Sequence, residues 1–240
     1  NRPFDAGIVC RRVFNTVKLY AKQRRLVSLM MAHINEREKN NHMMIDIQSH
    51  IVEFRNGESG KHVFHMDKVI QLLLDKIVQK TDKYPSLWQE RILIRTASAL
   101  HDIGKIGIDE AILNKPGRLT AEEFESMKAH TTIGADMLRN LPRYQEERLL
   151  QIAIEICRWH HERYDGKGYP DGLVGDEIPI SAQLVSIADV YDALTSERVY
   201  KKAFSHEKAM QMIREGECGA FNPLLLSCLE EIADELQAEM

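Results

Sequence analysis

The pentapeptide His101-Asp102-Ile103-Gly104-Lys105 stands directly after the apolar run Ile92-Leu93-Ile94-Arg95-Thr96-Ala97-Ser98-Ala99-Leu100. Such a run reads as a buried helix, which delivers an imidazole and a carboxylate to the edge of a core. Gly104 lets the backbone bend just past the pair. An ionised carboxylate in that position is costly unless something compensates it, and a cation is the simplest compensation. A single His-Asp pair is common, and a capping or structural role is its ordinary reading. The constraint on this chain is that the pattern recurs. His130 shares a helix face with Met127, Ile133 and Met137. His160 and His161 close a helix expected from about Tyr144, whose inner face carries Leu149, Ile152, Ala153 and Ile156. Asp189 lies among Leu184, Val185, Ile187 and Ala188 on a helix expected from Ala182 to about Leu194, with Asp192 three residues on and on the same side.

The 240 residues suffice for one large or two modest domains. The opening reads as a loop over residues 1–8 followed by a long helix. Val13, Tyr20, Val27 and Ile34 recur every seven residues, with Val17, Met31 and Ile45 on a second seam that Arg24 and Glu38 interrupt. This imperfect heptad fits a homodimeric coiled coil, and equally a helix packed on its own domain. Arg2-Pro3-Phe4 leading into Ile8-Val9-Cys10-Arg11-Arg12-Val13 resembles the end of a response-regulator receiver domain, with Arg in place of the usual Lys. The expected division is therefore a receiver remnant and linker helix over residues 1–50 and a second domain over residues 51–240.

The net charge of −4, with acids and bases interspersed, leaves no electrostatic footprint for DNA or RNA. Cys10, Cys157, Cys218 and Cys228 are widely spaced and form no CxxC pair, as expected of reduced thiols in a cytoplasmic protein. No apolar run approaches a membrane span, so no membrane partner is expected. Glu58 and His62 are four apart, a spacing that faces one way on a helix, although Gly57 and Gly60 weaken a helix there. Asn114-Lys115-Pro116-Gly117 reads as a turn, and Thr120 with Glu123 as a capping box that opens the helix carrying His130. Glu162 to Gly172 is a long Gly/Pro-rich loop of the kind that carries function. Glu207 to Met240 reads as two amphipathic helices separated near Gly219-Pro223.

Together the candidates for metal ligation are Glu58, His62, His101, Asp102, His130, His160, His161 and Asp189. They are too many for one tetrahedral zinc, and no thiolate pattern accompanies them. They suit two or three harder divalent ions such as iron or manganese, with Asp102 as a bridge. Paired ions of that kind activate water for in-line attack on phosphorus. Lys105 could neutralise charge that grows on the phosphoryl oxygens.

His101-Asp102-Ile103-Gly104-Lys105, His160-His161-Glu162 and Gly168-Tyr169-Pro170 resemble the HD-GYP family, a branch of the HD superfamily of metal-dependent phosphohydrolases. Ile112-Leu113-Asn114-Lys115-Pro116-Gly117 and Ala188-Asp189-Val190-Tyr191-Asp192-Ala193-Leu194-Thr195 extend the likeness, which runs from about Glu53 to Pro223. The resemblance implies an all-α fold, an HD-type helical bundle after the long N-terminal helix. It also implies hydrolysis of cyclic di-GMP to the linear dinucleotide or onward to GMP. Residue by residue it makes His62, His101, Asp102, His130, His160, His161 and Asp189 metal ligands, and assigns Glu58 to an additional metal. Lys105, Arg198 and Lys201 become phosphate contacts, and Tyr169 a neighbour of the substrate cleft. Asp109 stands where Pro is commonest, and Asn222 where Asp is commonest. The rival readings are a catalytically silent module that binds a cyclic dinucleotide or a protein, and a hydrolase of another cyclic dinucleotide.

Overall fold

The computed structural model describes residues 6–55, 61–197 and 202–239. The described residues form helices and loops, with no strand and a single antiparallel bridge between Asp165 and Val174. Two compact units are present, Asn1–Met44 and Ile45–Met240.

The long opening helix is α1 (Ala6–Arg55). Over residues 7–37 its side chains are exposed, the heptad positions Val13, Val17, Tyr20, Val27, Met31 and Ile34 included. Its last turns pack: Ser49 and Val52 are buried, and Ser49 Oγ donates to the Ala99 carbonyl at 2.5 Å.

The second unit is built around four helices that contact one another in a closed ring: α2 (His62–Lys80), α3 (Leu87–Ser98), α7 (Arg148–Trp159) and α8 (Ile180–Thr195). Each presents an apolar stripe to the centre, where Ile70, Leu73, Ile77, Ile94, Ile152, Ile156, Leu184 and Ile187 are fully buried. Burying each such side chain contributes about 1.5–3 kcal/mol. Tyr191 on α8 is also fully buried, its hydroxyl 2.8 Å from Nδ1 of His206.

Between α3 and α7 the chain forms a 3-10 turn (Ile103–Gly107), α4 (Glu110–Leu113), α5 (Ala121–Lys128) and α6 (His130–Arg139). The expected Thr120–Glu123 capping box opens α5, with both reciprocal bonds made. The helix expected to continue through His130 instead breaks at Ala129, so His130 begins α6. The C-terminal segment forms three helices rather than the expected two: α9 (His206–Arg214), α10 (Pro223–Glu231) and α11 (Ala233–Glu239). The added break falls at Ile232, which is buried and lies between α10 and α11, both of which pack on α2.

Asp109 and Asn222, the two departures from the family pattern, both act as N-caps. Asp109 accepts from the Ala111 amide, while Asn222 accepts from Leu224 and donates through its amide to Gln183 Oε1 at 2.8 Å. A carboxylate at 222 could not make that second bond.

Candidate metal centre

Four helix ends and one helix interior bring the predicted residues together. His62 is the first residue of α2, and His101 and Asp102 lie between α3 and the 3-10 turn. His130 opens α6, His160 caps α7 with His161 following, and Asp189 lies within α8. Two groups result. His130, His160 and His161 bring one ligand atom each to within 4.8 Å of one another, and His62, His101 and Asp189 do the same.

Asp102 stands between the two groups and addresses both. Its Oδ2 lies 3.2 Å from His101 Nε2, while its Oδ1 lies 3.3 Å from His130 Nε2 and 3.9 Å from His160 Nε2. Yet Asp102 Oδ1 and His101 Nε2 are buried without a hydrogen-bond partner. Leaving such atoms unpaired costs about 1–3 kcal/mol each, and more for charged groups.

The ring orientations carry the same message. His101 Nδ1 donates to the Ser98 carbonyl, His130 Nδ1 to Met127, and His160 Nδ1 to Ile156, at 2.8, 2.8 and 2.9 Å. His62 Nδ1 lies 2.6 Å from Asp192 Oδ2. Nδ1–H donation of this kind turns the Nε2 lone pair inward, the arrangement found around metal-ligating imidazoles. His130 and His160 then point two bare nitrogens at each other across 3.4 Å. A cation held between them would relieve that facing. The residues present therefore fit divalent metal ions.

The charges follow from this crowding. Burial works to raise the pKa of Asp102, but Lys105, then His101 and His130, hold it well below the usual carboxylate range. For His101 burial acts downward, and Asp102 overcomes it to raise the pKa to about 9. Burial, then His101 and His130, push His160 down to about 3. Burial and then His160 push His161 well below the imidazole range. Lys105 Nζ sits 2.7 Å from Asp102 Oδ2, at the rim of the site.

Two glycines allow the close packing. A Cβ on Gly104 would lie 1.9 Å from the His130 carbonyl oxygen and 2.5 Å from Gly134 N, so the 3-10 turn lies directly on α6. Gly104 is thus required by contact rather than by the bend read from the sequence. A Cβ on Gly168 would come 2.3 Å from Arg163 N, which presses the glycine-rich loop onto the backbone after His161. The buried Glu162 carboxylate accepts from the amides of Asp171, Gly172 and Leu173. In this way Tyr169 is held with its ring 4.8 Å from that of His161, tilted by 31°. Burial, then Asp102 and Asp189, raise the Tyr169 pKa, so its hydroxyl keeps its proton.

Glu58, Arg198 and Lys201 lie outside the described residues, as does Arg2-Pro3-Phe4. Two contributors had no assigned role in the sequence reading. Asp192 is buried and holds both His62 and His65, the latter at 2.8 Å. Its spacing from Asp189 is visible in the chain, but its pairing with a histidine 130 residues away is not. Glu162 is adjacent to the paired histidines, and only the folded loop shows what it binds.

Residues 25–223 match a family model described as an HD domain. A Vibrio cholerae protein named cyclic di-GMP phosphodiesterase is 40% identical over 192 residues, 79% of this chain and 39% of that protein. A second, named 3'3'-cGAMP-specific phosphodiesterase 2, is 35% identical over 225 residues, 90% of this chain and 41% of its own length. The chain thus spans about two-fifths of the length of these curated relatives. Bd1817, a HDG"Y"P protein from Bdellovibrio bacteriovorus, shares the fold with a TM-score of 0.53 at 20% identity, over 72% of this chain and 51% of that one.

Proposed function

Because the chain belongs to the HD-domain family, we propose that it is a metal-dependent phosphodiesterase acting on cyclic di-GMP, giving the linear dinucleotide or onward GMP. The observation that carries this reading is Asp102, a carboxylate with its Oδ1 buried and unpartnered and one oxygen toward each of two three-ligand groups. Divalent ions held there, iron or manganese, would supply a water of lowered pKa and charge to clamp the phosphoryl oxygens. His62, His101 and Asp189 would hold one ion and His130, His160 and His161 the other, with Asp102 placed to serve both. By the resemblance, Glu58 would serve a third.

Lys105 is positioned by its Asp102 contact to meet a phosphate oxygen, and Arg198 and Lys201 are assigned to the same anion by resemblance. Tyr169, protonated and fixed beside His161, is available as a donor at the cleft. Residues 51–240 form the phosphohydrolase part. The opening segment is read as the end of a receiver domain, which makes this part the output of a response regulator. A change in turnover on treatment with a small phosphodonor, when a receiver domain is joined ahead of residue 1, would support that. The exposed heptad seam of α1 is read as the contact of a homodimer.

Protein purified without oxygen and supplied with ferrous or manganous ion is expected to convert cyclic di-GMP to linear dinucleotide or GMP, and to stop on chelation. Lys105→Ala should retain metal while losing rate. A metal-loaded protein that binds cyclic di-GMP without product would be a binding module instead. The relative named as 3'3'-cGAMP-specific favours a second reading, a mixed cyclic dinucleotide as substrate, tested by comparing turnover of the two.

A further inference from the structure

Deepening that reading, and resting on it for the phosphate ester held at the metals, we propose that Phe124, Lys128 and Tyr169 form a purine-base subsite that prefers guanine to adenine.

A row of rings leads outward from the metal centre. The His161 and Tyr169 rings lie 4.8 Å apart, and the Phe124 ring follows 6.4 Å from Tyr169, the two planes inclined at 80°. A base joined through its ribose to a phosphate held near His161 meets this row. Phe124 is 45% exposed and takes no part in the core, so domain packing does not account for its exposed face. Its helix α5 is braced at both ends. At the start, Glu123 closes the capping box and pairs with Lys115 Nζ at 2.6 and 2.7 Å. At the other end, the Met127 carbonyl accepts from His130 Nδ1 at 2.8 Å. The helix turn that orients a predicted metal ligand therefore also carries Phe124 and Lys128, which fixes their distance from the phosphate.

Lys128 supplies the discrimination. Its Nζ lies 5.1 Å from the Phe124 ring centre and 5.4 Å from that of Tyr169, steadied by Glu125 at 2.7 Å. An ammonium there is a pure donor. Guanine offers it two acceptors, O6 and N7, whereas adenine turns an amino donor toward it beside N7. The aromatic faces stack on either purine, and the cation favours one.

The test measures binding of GMP, AMP and ribose 5-phosphate to the manganese-loaded full chain by titration calorimetry. GMP is expected to bind about 5- to 150-fold more tightly than ribose 5-phosphate, the range for one stacked base. Phe124→Ala should remove most of that gap while ribose 5-phosphate binding stays put, and Phe124→Trp should restore it. Lys128→Met should narrow the GMP-to-AMP ratio alone. Equal binding of GMP and ribose 5-phosphate by the unaltered protein overturns the subsite, as does a Phe124→Ala variant that weakens all three probes alike. Base discrimination without cleavage of any cyclic dinucleotide would leave the subsite standing and remove the phosphodiesterase reading. Cleavage without base discrimination would do the reverse.

Discussion

Each of His62, His101, His130 and His160 spends Nδ1 on a carbonyl or carboxylate, and that choice fixes what Nε2 can do. In the metal-free centre His101 carries a proton that a cation must displace. His101, raised to about 9 by Asp102, is protonated at neutral pH, whereas His160, at about 3, already offers a bare nitrogen. Metal uptake is therefore expected to strengthen as pH rises toward about 9 and to release a proton, measurable by calorimetry in buffers of different ionisation enthalpy. Uptake independent of pH, with no proton released, would contradict this. In the metal-free protein the His101–Asp102 pair contributes stability that is fully present below the ordinary imidazole pKa of about 6.5 and is lost as pH rises through about 9. Asp192 acts at one remove, through His62. Asp192→Asn keeps the shape but weakens the acceptor, and should lower metal affinity about 10- to 100-fold with helix content unchanged. Unaltered affinity in that variant would reduce Asp192 to a packing role.

Elements matter here chiefly through their ends. The 3-10 turn that carries Lys105 is short, and its carbonyls need partners. Arg55, in the last turn of α1, supplies them: Nη1 donates to Ile106 O at 2.5 Å and to Lys105 O at 3.3 Å, and Nη2 to Ile108 O at 3.1 Å. Asn114 Nδ2 in turn donates to the Arg55 carbonyl at 3.1 Å. The guanidinium thus braces the turn from outside while Gly104 seats it on α6 from inside. Misplacement of a reacting group by about 1 Å can cost about 100-fold in rate. Arg55→Ala is accordingly expected to lower kcat about 10- to 100-fold while bound metal, measured by elemental analysis, stays at its usual content. Arg55→Lys should recover little, because one ammonium cannot serve three carbonyls in a fork. Full turnover in Arg55→Ala would show that the turn holds itself.

At the scale of the whole molecule, a helix with an exposed apolar seam is at odds with water. Val13, Val17, Tyr20, Val27, Met31 and Ile34 are each 47–63% exposed in the single chain. A second copy in heptad register would cover them. Sedimentation velocity of the full chain should show a dimer, and charges placed on the seam, Val27→Glu together with Ile34→Glu, should convert it to monomer. A monomer at high concentration before any substitution would remove the dimer. Among the described residues no helix is long and apolar enough to cross a membrane.

What the sequence by itself determined was the set of chemical groups and their local setting. Apolar periodicity identified the helices of α3, α7 and α8, the Thr120–Glu123 box marked a helix start, and buried-pattern histidines and carboxylates marked candidate metal ligands, because these signals act over a few residues. Only the tertiary structure decided which groups share a site. It placed Asp102 between two triads, paired Asp192 with His62 across 130 residues, split the helix before His130, and seated Gly104 against a neighbouring backbone. Those facts depend on how helices pack, and packing is set by the whole core at once rather than by any one segment.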